Sequence, residues 1–151
     1  MSVGEYCNRA VIVARRSAGV LEIAQLMREF HVGSVVIIEN DNENNIPVGI
    51  ITDRDIVVEV LATQVNMDSI TASDVMSTDL ITAREIDSMW ETIRRMRSRG
   101  VRRVPVVNDE GVLVGILSVD DILEAMSGQL NDLIKIISKE QDREQILRSK
   151  P

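Results

Sequence analysis

The sequence predicts an α/β (α+β) protein built from two copies of one β-α-β-β-α unit. The first observation behind this prediction is internal self-similarity, because the segment that begins at Val32 matches the segment that begins at Val101, 69 positions later. The second is that the register changes once: Gly49 matches Gly115, which lies 66 positions later. The extra residues of the first copy fall in the polar stretch 39–45, where a hairpin loop tolerates insertions.

Each copy opens with a short strand that leads into an amphipathic helix. The strands are predicted at Ala10–Ala14 and Leu80–Ala83. Apolar residues at helical spacing follow, namely Val20, Ile23, Ala24, Met27 and Phe30 in the first copy and Met89, Ile93 and Met96 in the second. Gly100 is expected to end the second helix in a left-handed conformation, and His31, which tolerates that conformation, holds the same place in the first copy.

Two strands and a helix complete each copy. The strands are predicted at Val32–Ile38 and Val48–Thr52, and at Val101–Val107 and Val112–Ser118. Because these runs are almost continuously apolar, we expect both faces of each sheet to be buried. The closing helices begin at Asp53 and at Val119. A unit of this size buries too little surface alone, so the two copies should pack on each other.

One motif, Gly-x-x-[Ser/Thr]-x-x-Asp, stands at the junction between the last strand and the last helix of both copies. It comprises Gly49, Thr52 and Asp55 in the first copy and Gly115, Ser118 and Asp121 in the second. Its chemistry suits a nucleoside. Glycine lets a ligand approach the backbone, the hydroxyl and the carboxylate can bind the two hydroxyls of a ribose, and the amides of a helix N-terminus attract an anion.

The same spacing also fits a helix-capping box, in which a hydroxyl at the N-cap pairs with an acid three residues later. Capping alone accounts for either copy taken by itself. It does not require the glycine, nor aspartate rather than glutamate, and the recurrence of both in register favours a ligand. The two interpretations are compatible with each other.

Three segments, Gly-Ile-Ile-Thr-Asp-Arg-Asp, Val-Arg-Arg-Val-Pro-Val-Val and Asp-Val-Met-Ser, together with the order of elements, resemble tandem CBS domains, also called Bateman modules. The resemblance covers about Tyr6 to Gln129 and implies repeats at 6–64 and 74–129, followed by an amphipathic C-terminal helix or tail at 130–151. It implies a stand-alone pair with pseudo-twofold symmetry and two clefts, which commonly bind AMP, ADP, ATP, NAD or S-adenosyl compounds such as S-adenosylmethionine. It further implies a regulatory, non-catalytic homodimer that acts on an effector protein in another chain.

By this resemblance each cleft takes residues from both repeats. The favoured cleft is expected to contain Ser118, Asp121 and Ile116, with Arg102 and Arg103 near phosphate and Ile12 and Val32 beside adenine. The second cleft is expected to contain Thr52, Asp55, Ile81 and Val101. Gly33 and Ser34 occupy the positions that match the arginine pair, so that the second cleft lacks a phosphate clamp unless Arg54 substitutes.

Composition disfavours several other functions. The formal net charge of −7 and the presence of one Trp, one Tyr and one Phe argue against nucleic acid and anionic membranes as partners. The single Cys7 excludes an internal disulfide and a zinc site of several cysteines, and the single His31 removes the usual catalytic and metal-binding constellations. Neither an export signal nor a membrane-spanning apolar run is present, which predicts a soluble cytoplasmic protein with no catalytic or metal site.

Two alternatives remain open at this stage. The chain could be a structural or adaptor dimer whose motifs act only as helix caps, or the arginine-rich segment 94–103 could bind nucleic acid. The tail has Leu130, Leu133, Ile134 and Ile137 at helical spacing, followed by Ile146 and Leu147. Such a stripe is expected to dock on the parent domain or on a twofold mate.

Overall fold

The computed structural model describes residues 1–149, which form two three-stranded sheets, one in each repeat. The first repeat contains α1 (Val3–Tyr6), β1 (Val13–Arg15), α2 (Val20–Phe30), β2 (Ser34–Asp41), β3 (Asn44–Thr52), α3 (Asp53–Asp55) and a π-helix (Ile56–Leu61). After a 3-10 turn (Met67–Ser69), the second contains α4 (Ala72–Val75), β4 (Ala83–Arg84), α5 (Met89–Arg99), β5 (Arg103–Val107), β6 (Leu113–Ser118) and α6 (Val119–Arg148).

Both sheets have the same topology. The first strand runs parallel to the second, and the second pairs antiparallel with the third. Even the irregularities match, because the register shifts between Ile37 and Ile38 in one sheet and between Val106 and Val107 in the other. The duplicated α/β architecture predicted from the sequence is therefore confirmed.

The strands differ from the predicted ones at their ends. β1 begins at Val13 and β4 at Ala83, because only the last residues of each predicted strand pair with a neighbour. The polar stretch 39–45 is a continuation of the β2–β3 hairpin rather than a loop. It closes in a two-residue turn at Asn42 and Glu43, which both have positive φ. The extra residues of the first copy thus lengthen a hairpin.

The predicted ends of the two amphipathic helices are confirmed. His31 (φ 54°) and Gly100 (φ 66°) are both left-handed C-caps of α2 and α5. Ile23 and Met27 are buried in the first core, and Val20 is fully buried as well, as the helical pattern indicates. Phe30 lies at the helix end and remains 48% exposed.

The short helix at the start of each repeat packs on the other repeat. Val3 of α1 is fully buried among the core residues of the second sheet, and its N–H donates to the carbonyl of Asp87 (2.9 Å). Ala72 of α4 is fully buried in the first core, where its N–H donates to the carbonyl of Ala18 (2.7 Å). Because these contacts are related by the 69-residue offset, the exchange is symmetrical, and each core is completed by the other repeat.

The closing helix of the second repeat does not stop at residue 129. α6 is a single helix of 30 residues that continues through the predicted tail to Arg148. Leu130 and Leu133 on this extension are each 60% exposed, so the stripe does not dock on the parent domain. Residues 150 and 151 of the predicted tail lie outside the described residues.

The exchange makes a testable prediction for Val3. Val3→Ala should lower the free energy of unfolding by about 2 kcal/mol, because it removes two buried methyl groups from the core of the second repeat. Urea denaturation measures the change. The matched control, Val65→Ala, alters a side chain that is 43% exposed and should change stability by less than about 0.5 kcal/mol. Equal effects of the two substitutions would contradict the exchanged packing.

Candidate functional site

A cleft of about 530 Å³ lies where the two repeats meet. The first repeat contributes the end of β3 and the start of α3, and the second contributes the turn that leads into β5. Its lining residues are Ile50, Thr52, Asp53, Arg54, Asp55, Ser77, Gly100, Val101, Arg102 and Arg103. The cleft therefore combines hydroxyl and carboxylate groups from one repeat with two guanidinium groups from the other.

The capping interpretation of the duplicated motif is correct in both repeats. The Thr52 N–H donates to Asp55 Oδ2 (2.8 Å), and the Asp55 N–H donates to Thr52 Oγ1 (3.2 Å). Ser118 and Asp121 form the same pair of hydrogen bonds, at 3.0 and 3.2 Å. Each box starts a helix and holds a half-buried carboxylate in place.

In the first copy, the capping box leaves hydrogen-bonding groups of Thr52 and Asp55 unused. Within residues 1–149, Asp55 Oδ1 accepts no hydrogen bond, and Thr52 Oγ1 donates none. In the second copy the hydroxyl of Ser118 donates to Asp121 Oδ2 (2.8 Å), so its hydrogen is already used inside the box. Thr52 and Asp55 can therefore offer a ligand both a donor and an acceptor, whereas the second box offers an acceptor.

The motif glycines serve packing between the repeats. A Cβ on Gly49 would lie 2.6 Å from Sδ of Met76, and a Cβ on Gly115 would lie 2.7 Å from Sγ of Cys7. Both sulfur atoms belong to the segments that follow the exchanged helices α4 and α1. The sequence suggested that these glycines make room for a ligand. In the structure they make room for the segments that follow the exchanged helices.

The arginine pair lies in the cleft of Thr52 and Asp55, not with Asp121 as expected from the sequence. The sheet register places Arg103 opposite Ser118. Its side chain nevertheless extends toward the first repeat, where Nη2 lies 2.7 Å from the point that a Cβ on Gly33 would occupy. Asp53 Oδ2 lies 3.3 Å from the same point. Arginines of the second repeat thus line this cleft, because glycine at position 33 leaves space for Arg103, and which of the two clefts holds a phosphate stays a prediction.

The remaining predicted residues are distributed between the two repeats. Val101 lines the cleft with Thr52, whereas Ile81 packs against the second core. Ile12 and Val32 pack against the first core. Ile116 pairs with Asn8, which is held by two backbone hydrogen bonds of 2.8 and 2.9 Å. The apolar residues other than Val101, namely Ile12, Val32, Ile81 and Ile116, therefore already make contacts within a core or a sheet.

Sequence reasoning did not assign Ser77 to the cleft. Ser77 is the last residue of the Asp-Val-Met-Ser segment, and its N–H donates to the carbonyl of Ile50 (3.1 Å). Its counterpart in the first repeat is Asn8, 69 positions earlier, which bonds to Ile116 in the corresponding way. The internal repeat itself was the signal that could have identified both positions.

Cys7 lies beside the second capping box. Burial raises the pKa of its thiol, Glu85 and Asp121 raise the pKa further, and Arg9 opposes them. Arg9 is itself paired with Glu85 (2.6 Å). Cys7 is therefore a neutral thiol at pH 7 that fills the space over Gly115, and its environment does not activate it as a nucleophile.

The geometry defines a class of protein: a paired module whose two repeats exchange helices and form a cleft lined by both charged and apolar residues. The chain belongs to the CBS domain family, whose family model matches residues 3–62 and 72–128. It is 43% identical over 124 residues to an uncharacterised protein of Methanopyrus kandleri, a match that spans 82% of this chain and 62% of that relative. The chain thus corresponds to less than two thirds of that relative's length.

Two solved structures share the fold and contain ligands. The CBS domain pair of protein MJ0100, in complex with 5′-methylthioadenosine and S-adenosyl-L-methionine, matches with a TM-score of 0.73 and 26% identity, covering 85% of this chain and 98% of that one. A CBS domain protein from Pyrobaculum aerophilum, complexed with AMP, matches with a TM-score of 0.73 and 29% identity, covering 80% of this chain and 89% of that one. These neighbours bind adenosine derivatives.

Two further features of the described part of the chain bear on the site. Across residues 1–149, no cluster of three or more histidine, cysteine, aspartate or glutamate side chains is arranged to hold a metal ion. No helix within these residues combines the length and the apolar character needed to cross a bilayer.

The environment of Cys7 makes a prediction about its reactivity. Because its pKa is raised, less thiolate is present near pH 8, and iodoacetamide should alkylate Cys7 several-fold more slowly in the native chain than in the urea-unfolded chain. Mass spectrometry of timed samples measures both rates. Equal rates in the two states would show that the thiol is neither buried nor shifted.

Proposed function

We propose that this protein is a non-catalytic regulatory module that binds an adenine nucleotide in the cleft between its two CBS repeats. The observation that carries this proposal is the meeting of Thr52 and Asp55 with Arg102 and Arg103 in one cleft. We also propose that the protein acts in the cytoplasm as a homodimer and that the nucleotide-dependent signal reaches an effector protein in another chain.

Each part of a nucleotide has a matching group in the cleft. Each ribose hydroxyl can donate or accept a hydrogen bond. The unused oxygen of Asp55 can accept from one of them, and the hydroxyl of Thr52 can donate to the other. Ile50 and Val101 supply apolar surface for a base. Arg102 and Arg103 can bind phosphate through the planar, bidentate geometry of guanidinium.

The charge of the cleft favours a phosphorylated ligand over a neutral one. The related structures bind AMP in one case, and 5′-methylthioadenosine with S-adenosyl-L-methionine in the other. Adenosine is common to these ligands, and phosphate distinguishes AMP. The three arginines Arg54, Arg102 and Arg103 therefore support AMP, ADP or ATP as the ligand class, with NAD and S-adenosylmethionine as the competing candidates.

The surroundings of Arg103 give a physical reason for the preference for a phosphorylated ligand. Its guanidinium lies against Gly33 on the same side as the carboxylate of Asp53. The two groups form no ion pair among the described residues, so the guanidinium is available to a ligand phosphate, which it can bind in bidentate fashion. Neutral adenosine has no phosphate for Arg103 to bind, so it should bind more weakly.

The second candidate function is a structural or adaptor dimer that binds a partner protein without sensing a nucleotide. Its support is the capping role of both motifs, which accounts for Thr52, Asp55, Ser118 and Asp121 without any ligand. The two functions differ in whether a nucleotide stabilises the fold and in whether the two aspartates then behave differently.

Thermal unfolding with ligands tests the nucleotide proposal. A nucleotide at 100 times its Kd should raise Tm by about 5–10 °C, since binding to the folded state alone adds about 2.7 kcal/mol. Arg103→Gln should remove most of this increase for AMP or ATP. Arg97→Gln, on an exposed arginine of α5 outside the cleft, serves as the control and should leave it unchanged. No increase with AMP, ADP, ATP, NAD or S-adenosylmethionine at millimolar concentration would refute the proposal.

The two capping aspartates separate the two candidate functions. Asp55→Ala and Asp121→Ala should each lower the free energy of unfolding by about 1 kcal/mol, because each removes the carboxylate that accepts the N-cap N–H in the capping box. Only Asp55→Ala should also remove the Tm increase caused by nucleotide, since Asp55 lines the cleft that holds the arginines. If Asp121→Ala removes the increase and Asp55→Ala retains it, the ligand occupies the other cleft.

A further inference from the structure

The long helix α6 carries apolar side chains that the described residues do not cover. Only Ile122 of the whole helix is buried. The exposed fractions are 60% for Leu123, 40% for Met126, 60% for Leu130, 60% for Leu133, 54% for Ile134, 61% for Ile136 and 59% for Ile137. A continuous apolar surface of this size is unfavourable in water and marks a site of association. Because α6 is unbroken, it cannot fold back to bury this surface on its own repeat.

The spacing of these residues identifies the kind of partner. Leu123, Met126, Leu130, Leu133 and Ile137 alternate at intervals of three and four residues, which is the core pattern of a coiled coil. We call these five residues the α6 seam. Ile134 and Ile136 flank the seam on its two sides and widen it. A seam of this kind is complementary to a second copy of itself, because each side chain fits between those of an identical helix.

We propose that the α6 seam is the surface on which a second copy of this chain docks, with the two α6 helices antiparallel. This inference rests on the proposed homodimer and names its interface. Much of the seam lies beyond residue 128, where the match to the CBS family ends, so it is a property of this chain rather than of the matched repeats. The same patch of each copy meets its equivalent, as a closed twofold interface requires.

The area of the seam and its flanks is sufficient for a stable pair. The seven side chains are each about half exposed, so two helices would bury roughly 1,200 Å² in total, the lower end of the range for specific interfaces. The contact is apolar and formed by rigid helices, so little ordering opposes it. The first turn of α6 is held by the Ser118–Asp121 capping box, which fixes the direction in which the helix leaves the domain.

Charge favours the antiparallel arrangement. The first half of α6 carries Asp120, Asp121, Glu124 and Asp132 without a cation, whereas Lys135, Lys139, Arg143 and Arg148 all lie in the second half. A parallel pair would place the two acidic halves side by side. It would also set Glu140 and Glu144, which continue the spacing of the seam, opposite their own copies. An antiparallel pair brings the acidic half of each helix to the cations of the other.

Sedimentation equilibrium of the full chain tests the surface. Wild type should be a dimer at micromolar concentration, and the double variant Leu130→Lys, Leu133→Lys should raise the dimer Kd at least 100-fold. Ile86→Lys is the matched control, because Ile86 is 67% exposed but lies outside α6, and it should remain dimeric. Circular dichroism and the nucleotide-induced Tm increase should be unchanged in both variants, which separates loss of the interface from loss of folding or of ligand binding.

The results of this experiment test the α6 seam separately from the proposed homodimer and from nucleotide binding. A double variant that stays dimeric overturns the α6 seam as the interface but leaves the homodimer standing. A wild-type chain that is monomeric at 100-fold higher concentration overturns both. Nucleotide binding is judged by the Tm increase alone, so neither result bears on it.

Spin labels test the orientation of the helices. In a Cys7→Ser background, Gln145→Cys provides one label site per chain. If Leu130 lies opposite Leu133 of an antiparallel copy, the two labelled positions are about 40 Å apart, as the helical rise of 1.5 Å per residue dictates. A parallel pair would place them about 10–20 Å apart, the separation of neighbouring helix axes plus the labels. The short distance would overturn the antiparallel arrangement.

Discussion

The exchange of short N-terminal helices between the repeats is the constraint on which the rest of this structure depends. Each exchanged segment ends over a motif glycine, Met76 on Gly49 and Cys7 on Gly115, at distances that leave no room for a Cβ. Because the Met76 segment is held there, Ser77 reaches the carbonyl of Ile50 and becomes part of the cleft wall. The cores and the cleft therefore form together, and neither repeat is complete without the other.

The two copies of the motif have unequal surroundings. Both copies retain the capping box, so the difference lies in the two residues at the start of the second strand, Gly33 and Ser34 in one copy and Arg102 and Arg103 in the other. The small residue of one repeat accommodates the long residue of the other, since the guanidinium of Arg103 lies against Gly33. The two repeats therefore depend on each other here: the first repeat has Gly33 where the second has Arg102, and the space that this glycine leaves lets Arg103 of the second repeat reach the cleft.

The sequence predicts those features that local physics determines. The two left-handed helix ends at His31 and Gly100 and the two capping boxes follow from backbone sterics and short-range hydrogen bonds. The exchange of helices between the repeats cannot be predicted in this way, because α1 and α4 have four residues each and show no periodicity that could reveal where they pack. The position of Arg103 could not be predicted either. Its backbone lies beside Ser118, and only the three-dimensional structure determines that its side chain extends to the other repeat.

The cleft and the C-terminal helix are in direct backbone contact. The N–H of Val119, the first residue of α6, donates to the carbonyl of Arg102 (2.9 Å), whose side chain lines the cleft. A ligand shifts a conformational equilibrium only by its difference in affinity for the two states, so a nucleotide would move α6 only if the filled and the empty cleft hold the arginines differently. A helix of 30 residues is about 45 Å long, and a small tilt at Val119 becomes a displacement of several ångströms along its far half. The hydrogen bond between Val119 and Arg102 is thus a direct physical connection between the proposed ligand site and the proposed dimer surface.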